Sequence, residues 1–188
     1  MDKRRVRGNY VQAVLHYINT MYGPEQRSKI MAAIDPDVVL LLPKLSPTVW
    51  YPIEHLVSVF DAIAASQPFA KTEEDIKLIG KAVATEALGT FLKLLLKILT
   101  PRLFASKFDA FWHKYHEFGE MRADLKELES SHIVLYGTAY PYMHLIATGW
   151  GECVFREALG KTDALVTADV PAGQRESATS EVAIHVRW

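Results

Sequence analysis

The sequence has only one cysteine, Cys153, in 188 residues. A single thiol cannot form an internal disulfide bond, and secreted domains usually have several cysteines. The basic N-terminus is followed by none of the apolar segment and small-residue cleavage site that are typical of a signal peptide. We therefore expect a cytoplasmic protein.

The sequence also lacks an excess of charge and a long apolar run. Lys and Arg number 21 against 22 Asp and Glu, which gives a net charge of −1. The most apolar stretch, residues 91–99, is too short to span a bilayer and contains Lys93 and Lys97. We therefore expect no nucleic-acid binding and no membrane insertion. The basic cluster at residues 3–7 is interpreted as a solvated, frayed terminus.

Apolar residues recur every three or four positions through the first two thirds of the chain, which indicates helices. Three prolines between residues 43 and 52 predict an irregular segment there. Thr72 is the predicted N-cap of the longest helix, and Gly119 is the predicted end of the last one in this part. The predicted helices cover residues 8–22, 24–33, a short turn after Pro36, 53–65, 72–98 and 101–118.

After Gly119 the pattern changes to an alternation of apolar and polar residues, which is typical of strands. Strands are predicted near residues 121–126, 133–136, 161–169 and 181–188, with a helix over 141–159. The expected fold class is α+β: N-terminal helices are followed by a β-β-α-β-β antiparallel sheet. We expect one domain over residues 1–188, with a helical part at 1–118 and a sheet part at 119–188.

Motifs that would indicate catalysis are missing. The sequence has no G-x-S-x-G turn, and Cys153 lies in the middle of a predicted helix, where a buried and inert thiol is expected. Gly149-Trp150-Gly151 follows no strand, so it does not fit a dinucleotide-binding loop, and its glycines instead favour close helix packing. We predict no catalytic residue and no enzyme activity.

Seven histidines are present, of which only His113 and His116 are close in sequence. A spacing of three puts both on one face of a helix, but two histidines alone lack the further ligands of a transition-metal site. We predict no metal site.

Aromatic residues are numerous for a sheet of this size. They indicate either a large, filled core or an apolar ligand pocket between helices and sheet, and the sequence leaves both open. The pocket candidates are Phe91, Phe104, Phe108, Trp112, Tyr136 and Trp150.

Several segments together resemble an uncharacterised family that is found as many paralogues in myxobacteria. The segments are 7–10, 50–52, 86–89, 111–115, 119–120 and 182–188. That family is similar to vinyl-reductase-type ligand-binding domains, which share a fold with haem nitric-oxide-binding (H-NOX) domains and with trafficking-complex subunits. The resemblance implies a non-catalytic sensory or adaptor domain of the NO-signalling and Golgi-transport fold, with an apolar cavity between helices and a four-stranded sheet.

The resemblance also implies two cofactors that can be checked by position. Zinc would need cysteines in the final hairpin and in the helix before it, but the hairpin has none and Cys153 stands alone. Haem would need a histidine before the sheet, which His113 or His116 supplies, and a Tyr-x-Ser-x-Arg pattern for the propionates. The corresponding residues, 136–140, place Tyr140 where the arginine should be, so a charged anchor is missing. We therefore expect no cofactor, haem included.

Three functions remain after these checks. The first is a bacterial signalling domain that binds a small apolar molecule and associates with itself, as a homodimer, or with another signalling protein. The second is a protein-interaction adaptor without a ligand. The third is a haem-based gas sensor that uses His113 or His116.

Overall fold

The computed structural model describes residues 4–98, Leu103, and residues 106–125, 133–138, 140–169 and 181–188. Helices form the first part, and a four-stranded antiparallel sheet with one helix forms the second. The predicted α+β class and the β-β-α-β-β order are therefore confirmed.

The helical part begins with a strand rather than with a frayed terminus. Strand β1 (Arg5–Arg7) pairs antiparallel with β2 (Trp50–Pro52), and Val6 between its two arginines is fully buried. The interpretation of residues 3–7 as frayed is therefore wrong for Arg5–Arg7. The irregular segment that the prolines predict contains a 3₁₀ turn at Leu42–Lys44 and then ends in β2.

The helices of this part follow their predicted positions closely. Helix α1 ends before Gly23-Pro24, and α2 and α3 each begin at a proline, which suits the first helical turn. Their bounds are α1 Gly8–Met21, α2 Pro24–Ala33, α3 Pro36–Leu41, α4 Ile53–Ala65 and α5 Phe69–Ile98.

Helix α5 begins three residues before the predicted N-cap. Thr72 lies inside the helix, where its hydroxyl donates to the Pro68 carbonyl at 3.2 Å. Asp75, three residues further on, accepts hydrogen bonds from Tyr22 at 2.6 Å and Gln67 at 2.8 Å. These contacts join the start of α5 to the end of α1.

The next described helix, α6 (Phe108–His113), ends before the predicted Gly119. The backbone after it pairs with β1: the Arg7 amide donates to the Tyr115 carbonyl, and the Glu117 amide donates to the Arg5 carbonyl, both at 3.0 Å. Because β1 takes up these backbone groups, residues 115–117 leave the helical path.

The sheet consists of β3 (Met121–Leu125), β4 (Ile133–Thr138), β5 (Leu165–Asp169) and β6 (Glu181–Arg187), in the spatial order β3-β4-β6-β5. All neighbouring pairs are antiparallel. Val182, Ile184 and Val186 of β6 are buried, as their alternation predicts.

Helix α7 (Met143–Glu152) connects the two hairpins and continues as a π-helical turn over Cys153–Ala158. It packs on α5 with backbones in contact, because a Cβ atom at Gly149 would lie only 2.7 Å from the Lys77 carbonyl carbon. A Cβ at Gly80 would lie 2.9 Å from the carbonyl carbon of Ile146. The close packing predicted for Gly149 is therefore confirmed, and Cys153 is fully buried as expected.

Among the helices of the described ranges, none is long and apolar enough to cross a membrane.

Candidate functional site

An apolar cavity of about 70 Å³ lies between α1, α5, α6, α7 and strand β6. Its walls combine residues that are distant in sequence, so only the folded chain creates it. The lining residues are Tyr10, Val83, Phe108, Phe111, Trp112, Tyr115, His116, Met121, Tyr140, Met143, Ile146, Ala147, Trp150, Gly151 and Ile184.

Three of the six pocket candidates from the sequence lie together in this wall. Phe108 and Trp150 make an edge-to-face contact with ring centroids 5.5 Å apart, and Trp112 lies one helical turn after Phe108. The positions of the other three side chains, at Phe91, Phe104 and Tyr136, are outside the part of the chain that the structure describes. The backbone of Tyr136 is described, and it pairs with Arg122 and Ala183.

The two candidate histidines occupy different environments. The His113 side chain is 43% exposed and lies 3.6 Å from the carboxylate of Asp109. His116 is 6% exposed and lines the cavity. They do not share a helical face, because α6 ends at His113 and His116 belongs to the segment that pairs with Val6 of β1. The structure therefore places only His116 at the cavity.

Trp112 contacts the His116 ring through its indole ring and through its backbone carbonyl. The two rings are stacked, with centroids 3.6 Å apart and planes 5° apart. The Nδ1 atom of His116 lies 3.3 Å from the Trp112 carbonyl oxygen. A carbonyl can only accept, so Nδ1 carries the proton and Nε2 carries a lone pair. Among the described residues, none forms a hydrogen bond with Nε2, although this atom is buried.

Burial keeps the His116 ring neutral. Removal from water lowers the pKa of His116 to about 3, a change that the hydrogen bond to Trp112 partly opposes. At physiological pH the ring therefore presents an uncharged nitrogen acceptor to an apolar cavity.

Three tyrosines line the cavity, Tyr10, Tyr115 and Tyr140, and two of them are joined by a hydrogen bond. The hydroxyls of Tyr10, from α1, and Tyr140, before α7, are hydrogen-bonded to each other at 2.9 Å. Burial raises the pKa of both phenols, so both stay protonated. Tyr10 was not predicted as a site residue, although it lies in one of the segments that carry the family resemblance. Tyr140 was noted only as the residue that replaces an arginine.

No Lys, Arg, Asp or Glu is among the described residues that line the cavity. Arg4 lies in a neighbouring cleft to which Tyr140 also contributes, together with the acidic residues Asp35, Glu54 and Asp61. The wall therefore offers the imidazole nitrogen of His116 and the hydroxyls of three tyrosines, with no Lys or Arg among its described residues.

No protein-family model matches this sequence, and no curated protein matches it significantly. Solved structures do match. The chain is similar to the unliganded Fe(II) H-NOX protein from K. algicida, with a TM-score of 0.72 and 11% identity over 96% of this chain and 95% of that chain. It is also similar to an H-NOX protein from S. oneidensis in the Fe(II)NO state, with a TM-score of 0.63 and 13% identity over 95% and 97% of the two chains.

A third similar structure was solved to study how protein-induced porphyrin distortion modulates haem redox potential. Its TM-score is 0.63, at 10% identity over 97% of this chain and 99% of that chain. These similar structures are iron and haem proteins, and they contradict the expectation that this chain has no cofactor, which is therefore wrong. The missing arginine at position 140 led to that expectation. Over nearly its whole length, this chain has the H-NOX fold.

Proposed function

We propose that this chain is a haem-based gas-sensing domain in which His116 would bind the haem iron. The observation that carries the proposal is the unpartnered, buried Nε2 atom of His116 at the cavity wall. A buried nitrogen acceptor that forms no hydrogen bond is unfavourable by about 1–3 kcal/mol, and a metal ion would satisfy it.

The other ring nitrogen supports this role. Metal-binding histidines usually donate their second N–H to a carbonyl or carboxylate, which fixes the ring and makes it a better ligand. The contact of Nδ1 with the Trp112 carbonyl provides this arrangement, and the stacked Trp112 ring restricts rotation of the imidazole. Because the pKa of His116 is low, its imidazole is already neutral near pH 7 and does not have to lose a proton before it binds a metal.

Bound haem supplies an iron atom that binds diatomic gases. The chain's own contribution is to bind the iron through His116 and to exclude water with apolar walls such as Phe108 and Trp150. The walls enclose about 70 Å³, whereas pockets for larger ligands measure roughly 300–1,000 Å³. Haem binding therefore requires the walls to separate, and its carboxylates would have to lie outside the apolar lining.

The test is spectroscopic. The chain is expressed with a haem precursor, purified, and reduced before CO or NO is added. We expect a Soret band that shifts with each gas. His116→Gly should lose the band and regain it when free imidazole is added, whereas His113→Gly is the matched control and should keep it. A colourless protein, or a band that persists in His116→Gly and disappears in His113→Gly, would contradict the proposal.

We further propose that the domain is non-catalytic, acts in the cytoplasm, and transmits its state to a second copy or to another signalling protein. The single cysteine and the absence of catalytic motifs in the sequence support the first two points. A bacterial origin among myxobacterial paralogues stays a prediction. Size-exclusion chromatography with light scattering tests self-association, for which a dimer is the expected result.

A further inference from the structure

The Tyr10–Tyr140 pair in the cavity wall has one more hydrogen-bond donor than its mutual hydrogen bond uses. Tyr10 and Tyr140 each have one hydroxyl proton, and their mutual hydrogen bond uses only one of the two. Neither hydroxyl has another partner among the described residues. A phenol keeps its proton at neutral pH and is then an O–H donor. One buried O–H group is therefore left to donate.

His116 has an unused acceptor, whereas the tyrosine pair has an unused donor. Its Nε2 atom is a buried acceptor without a donor in the described parts of the chain. The hydroxyls do not reach it, although the His116 ring centroid is 5.5 Å from that of Tyr10 and 5.9 Å from that of Tyr140. One donor and one acceptor thus face the same cavity without bonding to each other.

The cavity has space for a molecule between them. Its volume is about 70 Å³, several times the roughly 10–15 Å³ that one water molecule requires. A carboxylate or an ammonium group would be poorly accommodated, because no described charged residue lines the wall. The matching ligand is small and neutral, with one atom that accepts a hydrogen bond and also donates one.

We propose that the haem-free protein binds a water molecule that accepts from the Tyr10–Tyr140 pair and donates to Nε2 of His116. This site goes beyond the proposed function, because it belongs to the protein before haem is bound. The same nitrogen is the one proposed to bind the haem iron, so the water and the iron compete for one atom. The rings of Trp112 and Phe118 pack against the His116 ring and restrict its rotation.

The first test asks whether replacing both tyrosines makes the haem-free protein less stable or more stable than the wild type. If the water is bound, replacing both hydroxyls in Tyr10→Phe/Tyr140→Phe leaves it a single partner. We then expect the unfolding equilibrium constant to rise about tenfold, which corresponds to about 1.4 kcal/mol. If the site is dry, the same double variant removes an unsatisfied donor, and the protein becomes equally or more stable. That second result would overturn the proposal.

Tyr115→Phe is the matched control for this test. Tyr115 lines the same cavity and contacts Tyr10 edge-to-face, with ring centroids 6.3 Å apart. Its hydroxyl has no hydrogen-bond partner among the described residues, so its removal should leave the unfolding equilibrium nearly unchanged. A loss as large as that of the double variant would show that the cavity wall tolerates no Tyr→Phe change, and it would overturn the assignment to the paired hydroxyls.

The second test does not depend on stability. In the NMR spectrum of haem-free protein with ¹⁵N-labelled histidine, we expect a cross-peak between water and the His116 ring. We also expect the Nε2 resonance of His116 to move when both tyrosines are replaced, while that of exposed His113 stays in place. No water cross-peak together with an unchanged Nε2 resonance would overturn the proposal. Haem binding is measured separately by the Soret band, so each proposal can fail without the other.

Discussion

The backbone contact between α5 and α7 yields the sharpest stability prediction. Substitution of Gly149 by Ala adds a Cβ atom 2.7 Å from the Lys77 carbonyl carbon, and its distance to the carbonyl oxygen is shorter still. Ordinary contacts between carbon atoms are about 3.5–4.0 Å. The two helices must therefore separate by about 1 Å, and the backbone of Lys77 cannot rotate away as a side chain would.

The magnitude follows from two opposing effects. Overpacking in a tight interior costs about 1–3 kcal/mol, and a clash with backbone belongs at the upper end. Alanine is more favourable than glycine within a helix by about 1 kcal/mol, and this gain opposes the cost of the clash. We expect Gly149→Ala to lower the free energy of unfolding by about 2 kcal/mol, which corresponds to roughly 4–8 °C in Tm for a chain of this length.

Urea and thermal denaturation followed by circular dichroism measure the change. Gly23→Ala is the control, because a Cβ at Gly23 would have no atom within 4 Å and the residue has a φ of −63°. Because Gly23 is the N-cap of α2, where alanine is less favourable than glycine, this control should cost no more than about 1 kcal/mol. If Gly149→Ala is as stable as Gly23→Ala, the backbones of α5 and α7 are not in contact and the reasoning is refuted.

Two further predictions concern buried polar groups. In haem-free protein the unfolded chain takes up a proton at His116 below pH 6.5, whereas burial lowers the folded-state pKa to about 3. The free energy of unfolding should therefore fall as the pH falls through this interval, by up to about 1.4 kcal/mol per pH unit. Urea titrations at several pH values should show this fall for the wild type and a smaller one for His116→Leu. Parallel pH dependences of the two proteins would contradict this. Tyr22→Phe removes a 2.6 Å hydrogen bond to the buried carboxylate of Asp75 and should cost about 1.5–3 kcal/mol in the same assay. A loss no greater than that of Tyr115→Phe would refute it.

The helices and the larger strands were predictable because each has its own periodic pattern. Helix α4 has the predicted bounds of residues 53–65, and the register of β6 follows from its alternation. Strands β1 and β2 were not predictable, since three residues carry no period. They exist because each supplies the other's backbone partners.

The same pairing explains why the sequence could not choose between His113 and His116. Helical spacing puts them on one face, and Gly119 is a reasonable helix end. The end of α6 is instead determined by hydrogen bonds between residues 115–117 and β1, which lies more than a hundred residues earlier in the sequence. Local propensity contains no information about that contact.

The site was predictable in its aromatic character but not in its polar detail. Phe108, Trp112 and Trp150 were candidates because of their residue type and their helical positions. Tyr10 lies in a helix whose pattern indicates only a buried face, and its bond to Tyr140 joins residues far apart in sequence. The inference of no cofactor gave weight to one missing arginine, because the burial of His116 was not visible in the sequence.

Strand β1 also affects the order in which the site can form. Its hydrogen bonds to residues 115–117 close a loop of roughly a hundred residues, and contacts between such distant segments form late because loop closure is entropically costly. During synthesis the first strand leaves the ribosome long before the segment that contains His116. The cavity wall is therefore assembled only after most of the chain is available, and deletion of the first seven residues would remove a structural support of His116 rather than a dispensable tail.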